Sequence, residues 1–222
     1  MHISQITLSG LLALPILIPI IFGIRAFKHA GVTLRLFLFF LLIGLAVDII
    51  MWVLISSGTT THLLNIFNTY SLLEALFFFW FIWQVSELRV LRRLAKGAWV
   101  IVLPFWLFCV VIYPYLNIDF VSGSALFNAS YEIIGSFLAG FALLNLIEHG
   151  EQPRSSSTFW FLTAIFFYCF STFFLMTLLE TFLAIRVWFL NNIFNNITYL
   201  LYAVGFWVFL RVRLKGTIPI SY

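Results

Sequence analysis

Long runs of hydrophobic residues, separated by short polar stretches, make up most of this chain. A run of about 20 such residues is long enough to cross the hydrocarbon core of a bilayer as an α-helix. The short polar stretches are typical of loops that join one span to the next. The pattern predicts a single all-α domain over residues 1–222, a bundle of seven transmembrane helices with spans near 6–24, 36–56, 63–83, 98–116, 124–147, 158–182 and 188–210.

The composition supports this interpretation and narrows the choice of partners. Of the 222 residues, 63% are hydrophobic and only 9% are charged, and the mean hydropathy is +1.09. Soluble domains carry about 25% charged residues. We therefore expect a multi-pass protein of the cell membrane, in contact with the lipid bilayer, and we expect no nucleic-acid partner in spite of the net charge of +4.

The basic residues indicate the orientation of the predicted bundle. Eleven of the twelve Lys and Arg residues lie in the connections after the first, third and fifth spans or in the tail after the seventh, and only Arg186 lies on the other side. Because cytoplasmic loops are enriched in Lys and Arg, this asymmetry predicts an N-terminus outside the cell and a cytoplasmic C-terminus.

The seventh span contains a stripe of polar residues within an apolar run, WFLNNIFNNITYLLY over residues 188–202. At about 100° per residue, its four asparagines and two tyrosines fall within about 140° on one helix face. An unsatisfied polar group in hydrocarbon costs several kcal/mol. This face is therefore expected to point into the protein or into a wet cavity.

Ionisable residues, with amides and hydroxyls beside them, also occur at membrane depth in other spans. These polar residues are Asp48 in the second span, Asn68, Ser71 and Glu74 in the third, and Asn128, Tyr131, Glu132 and Ser136 in the fifth. No Lys or Arg lies within any predicted span to neutralise the three carboxyl groups. Such carboxyl groups are candidates for function, either protonated or bound to a cation or an amine.

We predict that these polar faces together form an outward-facing pocket for a small polar or cationic ligand. Its candidate residues are Asp48, Asn68, Glu74, Asn128, Tyr131, Glu132, Asn192, Asn195 and Tyr199. The alternative is a network of interhelical hydrogen bonds that only holds the bundle together, at about 0.6 kcal/mol for each interaction.

Several cofactor-dependent functions do not fit the sequence. Retinal binding needs a lysine within the seventh span, and the three lysines lie outside every predicted span. Haem and zinc sites need histidine ligands at suitable spacing, and the four histidines lie in loops or at span ends. We therefore predict no cofactor and no metal site.

The third and seventh spans resemble each other in sequence. Shifting one onto the other by 127 residues gives eight identities in 21 positions, and Asn65 and Asn68 match Asn192 and Asn195. This weak internal repeat is compatible with three helix pairs after a lone first helix, or with two three-helix units joined by the fourth helix. The second arrangement is similar to the topology of the small sugar transporters called SWEETs, but the chain lacks their Pro-Gln signature, so no family is assigned.

Three functions are compatible with the predicted pocket. The first is a ligand-binding sensor or receptor-like module; since no connection between spans exceeds about a dozen residues, its signal is expected to pass to a cytoplasmic or membrane effector protein. The second is a small proton- or cation-coupled transporter of a small solute, favoured by the repeat, by the prolines in the first and fourth spans and by the buried carboxyl groups. The third is an intramembrane lipid-modifying enzyme with Glu74 and Glu132, or Asp48, as acid and base. Because no nucleophile and base are evidently paired, catalysis is not expected.

Two local patterns bear on helix packing. Gly135, Ala139 and Gly140 lack bulk on one part of the fifth helix, so a neighbouring helix is expected to approach closely there. Trp99 and Trp106 in the fourth helix suit the membrane interfaces or the lipid face. From the fourth helix we expect no chemistry.

The predicted orientation can be tested with single cysteines. Thr60→Cys and Ser122→Cys are expected to react with a membrane-impermeant thiol reagent added outside intact cells, because both positions fall in outer connections. Lys28→Cys, Arg93→Cys and Ser156→Cys are expected to stay unlabelled. Labelling of Arg93→Cys from outside would overturn the orientation.

Overall fold

The computed structural model describes residues 14–59, 62–116, 122–150, 152–179 and 184–214. In these residues every regular element is a helix, and no strand occurs. The α-helices, numbered here in chain order, are α1 (Leu17–Ala26), α2 (Val32–Ser56), α3 (Leu63–Val85), α4 (Arg89–Leu107), α5 (Gly123–His149), α6 (Ser157–Leu179) and α7 (Ala184–Leu214). The all-α architecture predicted from the hydrophobic pattern is therefore confirmed.

Six of these helices, α2 to α7, are long and apolar enough to cross a membrane. This finding supports a multi-pass membrane protein. The first predicted span corresponds to a shorter apolar helix, Leu14–Ala26, and residues 6–13 of that span lie outside the described residues. The count of seven spans, and the orientation of the bundle, stay predictions.

The fourth helix begins at Arg89, whereas the hydrophobic pattern predicted a start near residue 98. Its first turns carry four exposed basic residues, and the Nζ atom of Lys96 lies 5.4 Å from the centroid of a Trp83 ring on α3. Long basic side chains lay their methylene stems along apolar surface and keep the charge in water. A helix can therefore continue past the apolar core of the membrane where hydropathy alone predicts a loop.

The third helix lies at the centre of the bundle, because it packs against α2, α4, α5 and α6. Helix α7 packs against α6 on one side and α1 on the other, and α1 packs against α2, so the described helices form a closed arrangement. The buried face of α3 therefore meets several helices at once. Its residues are Asn68, Ser71, Glu74, Ala75, Phe78, Phe79, Phe81 and Ile82.

Phenylalanine rings fill the bundle between its centre and the ends that carry most basic residues. We call this group the aromatic layer; its members are Phe37, Phe77, Phe81, Phe161 and Phe206. The ring of Phe37 on α2 is fully buried, with its centroid 4.4 Å from that of Phe161 on α6 and 5.2 Å from that of Phe81 on α3. The ring of Phe206 on α7 lies 5.0 Å from that of Phe161. The layer thus ties four helices together by direct ring contact.

Helices α5 and α6 approach closely where α5 carries glycine. A Cβ atom at Gly135 would lie 3.0 Å from the Sγ of Cys169, and one at Gly140 would lie 3.3 Å from the ring of Phe166. Ala139 between them is fully buried. The close approach predicted for this face is therefore present, with α6 as the neighbour.

The junction of α4 and α5 also depends on a glycine. After Leu107 the chain forms a π-helical turn, Phe108–Ile112, and then a 3₁₀ turn, Tyr113–Leu116. A Cβ atom at Gly123, the first residue of α5, would lie 1.9 Å from the carbonyl oxygen of Cys109 in the π-helical turn. Only glycine allows this contact between backbones.

The packing of α5 on α6 predicts that Gly135→Leu lowers the stability of the protein. The added side chain must displace Cys169, and overpacking of this kind costs about 1–3 kcal/mol or more. Gly97→Leu on α4 is the matched control, because no atom lies within 4 Å of a Cβ placed there. We expect a lower melting temperature in detergent for Gly135→Leu only; equal melting temperatures for the two variants would contradict the close contact.

Candidate functional site

The carboxyl group of Glu74 lies at the centre of the bundle. Glu74 is midway along α3 and only 5% exposed. Its Oε2 accepts a hydrogen bond of 2.7 Å from the hydroxyl of Tyr131 on α5 and one of 3.0 Å from the hydroxyl of Tyr168 on α6. One carboxyl oxygen therefore connects three helices.

The two tyrosines that donate to Glu74 are held by neighbouring rings. The centroid of the Tyr131 ring lies 5.3 Å from that of Phe127, one turn earlier on α5. The Tyr168 ring packs edge to face against Phe78, one turn after Glu74 on α3, with 5.8 Å between centroids. Packed rings have few alternative positions, so both hydroxyls are oriented before any ligand arrives.

A second set of groups surrounds this centre. Asp48 on α2 lies within electrostatic reach of Glu74, Tyr70 and Tyr199, and Tyr202 on α7 lies within reach of Glu74. We call the whole set the carboxyl–tyrosine cluster; its members are Asp48, Tyr70, Glu74, Tyr131, Glu132, Tyr168, Tyr199 and Tyr202. It brings five of the eight tyrosines of the chain around three carboxyl groups.

Glycine on α2 makes room for one member of the cluster. A Cβ atom at Gly44 would lie 3.0 Å from the hydroxyl oxygen of Tyr70. Gly44 precedes Asp48 by four residues, so both positions lie on the same face of α2. The side of α2 that approaches the cluster therefore has space for a phenol at Gly44 and a carboxyl group at Asp48.

Glu132 is a second deeply buried carboxyl group, with 1% of its surface exposed. It lies within electrostatic reach of Glu74 and beside the hydroxyl of Thr172 on α6. Its Oε2 and the Oδ1 of Asn128, one turn earlier on α5, are both buried and have no hydrogen-bond partner among the described residues. Two buried acceptors side by side need a hydrogen-bond donor or a cation. If Glu132 is protonated, its O–H is such a donor; if it is ionised, a bound cation can satisfy both groups.

Of the predicted pocket residues, five lie in the carboxyl–tyrosine cluster. They are Asp48, Glu74, Tyr131, Glu132 and Tyr199. Asp48 and Tyr199 are partly buried, whereas Asn68 and Asn128 are buried and lie about one to two turns before Glu74 on α3 and Glu132 on α5.

Two of the predicted pocket residues are asparagines of α7 that precede its cluster tyrosines. Asn192 and Asn195 are half-buried and precede Tyr199 by about two turns and one turn. Neither side chain forms a hydrogen bond with the described residues around Glu74. They occupy the same helix as Tyr199 and Tyr202, and their place in the pocket stays a prediction.

Trp106 on α4 makes a contact with α3 that the sequence did not predict. Its indole Nε1 donates a hydrogen bond of 2.9 Å to the backbone carbonyl of Asn68. Trp106 is partly buried there. A buried indole needs an acceptor, and this contact fixes α4 against the part of α3 that precedes Glu74.

Sequence reasoning missed Tyr70 and Tyr168 as site residues, and it placed Tyr202 on the inward-facing stripe of the seventh span without naming it a candidate. Tyr168 lies in a run of mainly apolar residues midway along α6, where no periodic polar stripe occurs. The available signal was the hydroxyl itself, because a tyrosine in the middle of a span needs an acceptor. The sequence could not show that this acceptor is Glu74.

A wide-open cavity of about 500 Å³ lies between α2 and α3, and Tyr70 of the cluster is one of the residues that line it. It extends from His62, just before the first residue of α3, to Leu73, next to Glu74, and Val47, next to Asp48, also lines it. Its volume is in the range of small-molecule sites, about 300–1,000 Å³. The cavity therefore borders the cluster at Tyr70 and extends toward the end of the bundle that is opposite the aromatic layer.

No family model matches the chain, and no curated protein or solved structure matches it. Within the described residues, no group of three or more His, Cys, Asp and Glu side chains could hold a metal ion. Function must therefore be inferred from the chemistry of the cluster itself.

The hydrogen bonds to Glu74 predict the effect of removing each phenol. Tyr131→Phe and Tyr168→Phe are each expected to lower the free energy of unfolding by about 0.5–2 kcal/mol. Tyr115→Phe is the matched control, because the Tyr115 side chain is 82% exposed. The free energy of unfolding is measured for all three variants in detergent. A loss for Tyr131→Phe that is no larger than the loss for Tyr115→Phe would contradict the hydrogen bond to Glu74.

Proposed function

We propose that this integral membrane protein is a sensor that binds a small organic cation at the carboxyl–tyrosine cluster, from the outer side of the cell membrane, and signals through a partner protein. The observation that carries the proposal is the Glu74 carboxyl group, buried midway along the central helix and contacted by two tyrosine hydroxyls from different helices.

The cluster is acidic and has no internal counter-charge. Glu74 interacts electrostatically with both Asp48 and Glu132. Among the described residues, no Lys, Arg or His forms a hydrogen bond or ion pair with Glu74 or Glu132. Carboxyl groups at membrane depth bind a cation or carry a proton, and a positively charged ligand is the partner that this set of groups lacks.

The tyrosines favour an organic cation over a metal ion. Five tyrosines lie within electrostatic reach of Glu74, and the faces of aromatic rings attract ammonium groups. A metal ion such as Ca²⁺ prefers six or more oxygen ligands, and among the described residues no group of three or more His, Cys, Asp and Glu side chains is placed to hold a metal ion. Proteins recognise amines and quaternary ammonium groups with a carboxylate, which balances the positive charge, and with aromatic rings around the ammonium group.

The two ends of the bundle differ in a way that supports access from one side. The aromatic layer separates the cluster from the ends rich in basic residues, which the charge asymmetry predicts to be cytoplasmic. On the opposite side, the cavity between α2 and α3 extends from His62 to Tyr70 and Leu73. One-sided access favours a sensor, because a transporter must open its site to both faces of the membrane.

A bound cation would also change the contacts between helices. An ammonium ion bound at Glu74 would share the carboxyl group with the hydroxyls of Tyr131 and Tyr168, so it would change the contacts that join α3, α5 and α6. A ligand that binds one arrangement of α5 and α6 more tightly than another shifts the population between them. Such a shift is the signal that a partner protein would read.

Binding can be tested with a matched pair of probes, choline and its neutral isostere 3,3-dimethylbutan-1-ol. Choline is expected to raise the melting temperature of the purified protein in a concentration-dependent way, and the neutral alcohol is not, because only choline carries charge. Glu74→Gln is expected to weaken choline binding by at least about thirtyfold, since removal of one partner of a buried charge pair costs about 2 kcal/mol or more.

Glu87→Gln is the control variant, because Glu87 lies exposed in the turn before α4 and should leave choline binding unchanged. Equal stabilisation by choline and the neutral alcohol would contradict the charged site. Equal binding by Glu74→Gln and the parent would remove Glu74 from it. Accumulation of choline inside protein-containing vesicles, driven by a proton or sodium gradient, would favour the transporter over the sensor.

A further inference from the structure

A second cavity, unrelated to the carboxyl–tyrosine cluster, lies where the last turns of α1 and α7 meet. Its volume is about 620 Å³. The residues that line it are Phe22, Arg25 and His29 from α1 and the following turn, and Trp207, Leu210, Arg211 and Leu214 from α7. None of them is acidic. The cavity lies at the ends that the charge asymmetry predicts to be cytoplasmic.

Two guanidinium groups from different helices converge on this cavity. Arg25 is in the last turn of α1 and Arg211 is in the last turn of α7. The Cζ atom of Arg211 lies 5.3 Å from the centroid of a Trp207 ring, which orients the guanidinium and leaves its N–H groups free to donate. Guanidinium groups bind phosphate oxygens through paired hydrogen bonds.

A purely structural role explains only part of this arrangement. A basic residue in the last turn of a helix interacts favourably with the helix dipole, by about 0.3–1 kcal/mol. That effect accounts for Arg25 on α1 and Arg211 on α7 separately. It does not require them to line one cavity together with His29, and it does not explain the apolar half of the lining.

The lining combines basic and apolar side chains, and one apolar residue, Leu214, lies about one turn beyond Arg211. Phe22 precedes Arg25 by three residues, and Trp207 precedes Arg211 by four, so both rings lie about one turn nearer the middle of the membrane than the guanidinium groups. Tryptophan is typical of the membrane interface, where one edge is apolar and the other is wet. This order of chemistry along the helices matches a molecule with an anionic head and an apolar tail.

We propose that the cavity binds the headgroup of an anionic phospholipid. Arg25 and Arg211 hold the phosphate with His29 beside it, and the glycerol and the start of the acyl chains lie along Phe22 and Trp207. A soluble phosphate compound would use only the basic half. The bound lipid bridges α1 and α7, the two helices that close the bundle. This proposal does not depend on the ligand or the function proposed for the carboxyl–tyrosine cluster.

The proposal can be tested with short-chain lipids added to the full chain in an uncharged detergent. The probes are dihexanoylphosphatidylglycerol, dihexanoylphosphatidylcholine and glycerol 3-phosphate, which has the anionic group but no acyl chains. The phosphatidylglycerol probe is expected to raise the melting temperature, and the other two probes are not. Stabilisation by glycerol 3-phosphate at the same concentration would contradict lipid binding and would indicate a site for a soluble phosphate compound.

Variants show whether the cavity is the site. Arg25→Gln and Arg211→Gln are each expected to weaken phosphatidylglycerol binding by at least about tenfold, which corresponds to loss of a charged hydrogen-bond pair. Arg93→Gln removes the same charge from an exposed position outside the cavity and should bind as the parent does.

Two further outcomes distinguish a built site from diffuse charge or poor folding. If Arg93→Gln weakens phosphatidylglycerol binding as much as the cavity variants do, the proposal is wrong, and the lipid is attracted by the overall positive charge of the protein. If Arg25→Gln has a much lower melting temperature without any lipid, Arg25→Lys replaces it; this variant keeps the charge but not the paired N–H groups, and binding as tight as that of the parent would contradict the phosphate contact.

Discussion

A carboxyl group in the middle of a membrane bundle constrains everything around it. An unpaired polar group there costs several kcal/mol, so Glu74 requires donors, and those donors come from two other helices as Tyr131 and Tyr168. To place both hydroxyls at one oxygen, α5 and α6 must dock closely against each other and against α3. The glycine contact of Gly135 with Cys169 is part of the same requirement.

The last helix links the separate regions of the molecule. Along α7, Tyr199 and Tyr202 face the carboxyl–tyrosine cluster, Phe206 belongs to the aromatic layer, and Arg211 lines the basic cavity. These regions follow one another within about 12 residues, or about 18 Å along the axis. A displacement of α7 caused by a ligand at the cluster would therefore reach the basic end directly, where a partner protein or a lipid would respond to it.

Much of the fold was accessible from the sequence because a bilayer imposes simple rules. Three rules sufficed to predict that Glu74, Tyr131 and Glu132 lie away from lipid: the length of a span, the cost of an unsatisfied polar group in lipid, and the periodicity of a helix. The structure buries all three side chains. The early start of α4 escaped prediction because a row of basic residues looks like a loop when hydropathy alone is used. Tyr168 and Trp106 escaped because their roles depend on which helices are neighbours, and a hydroxyl or an indole in an apolar run does not name its acceptor.

The central claim is that Glu74 supplies the counter-charge for a cationic ligand, and chemical modification tests it at that residue. Dicyclohexylcarbodiimide reacts with carboxyl groups in apolar surroundings, and mass spectrometry of the digested protein measures the modified fraction of Glu74. Our account predicts that Glu74 is modified in the free protein and protected by choline, with no protection by 3,3-dimethylbutan-1-ol. Modification of Glu74 to the same extent with and without choline, in protein that remains folded, would contradict it.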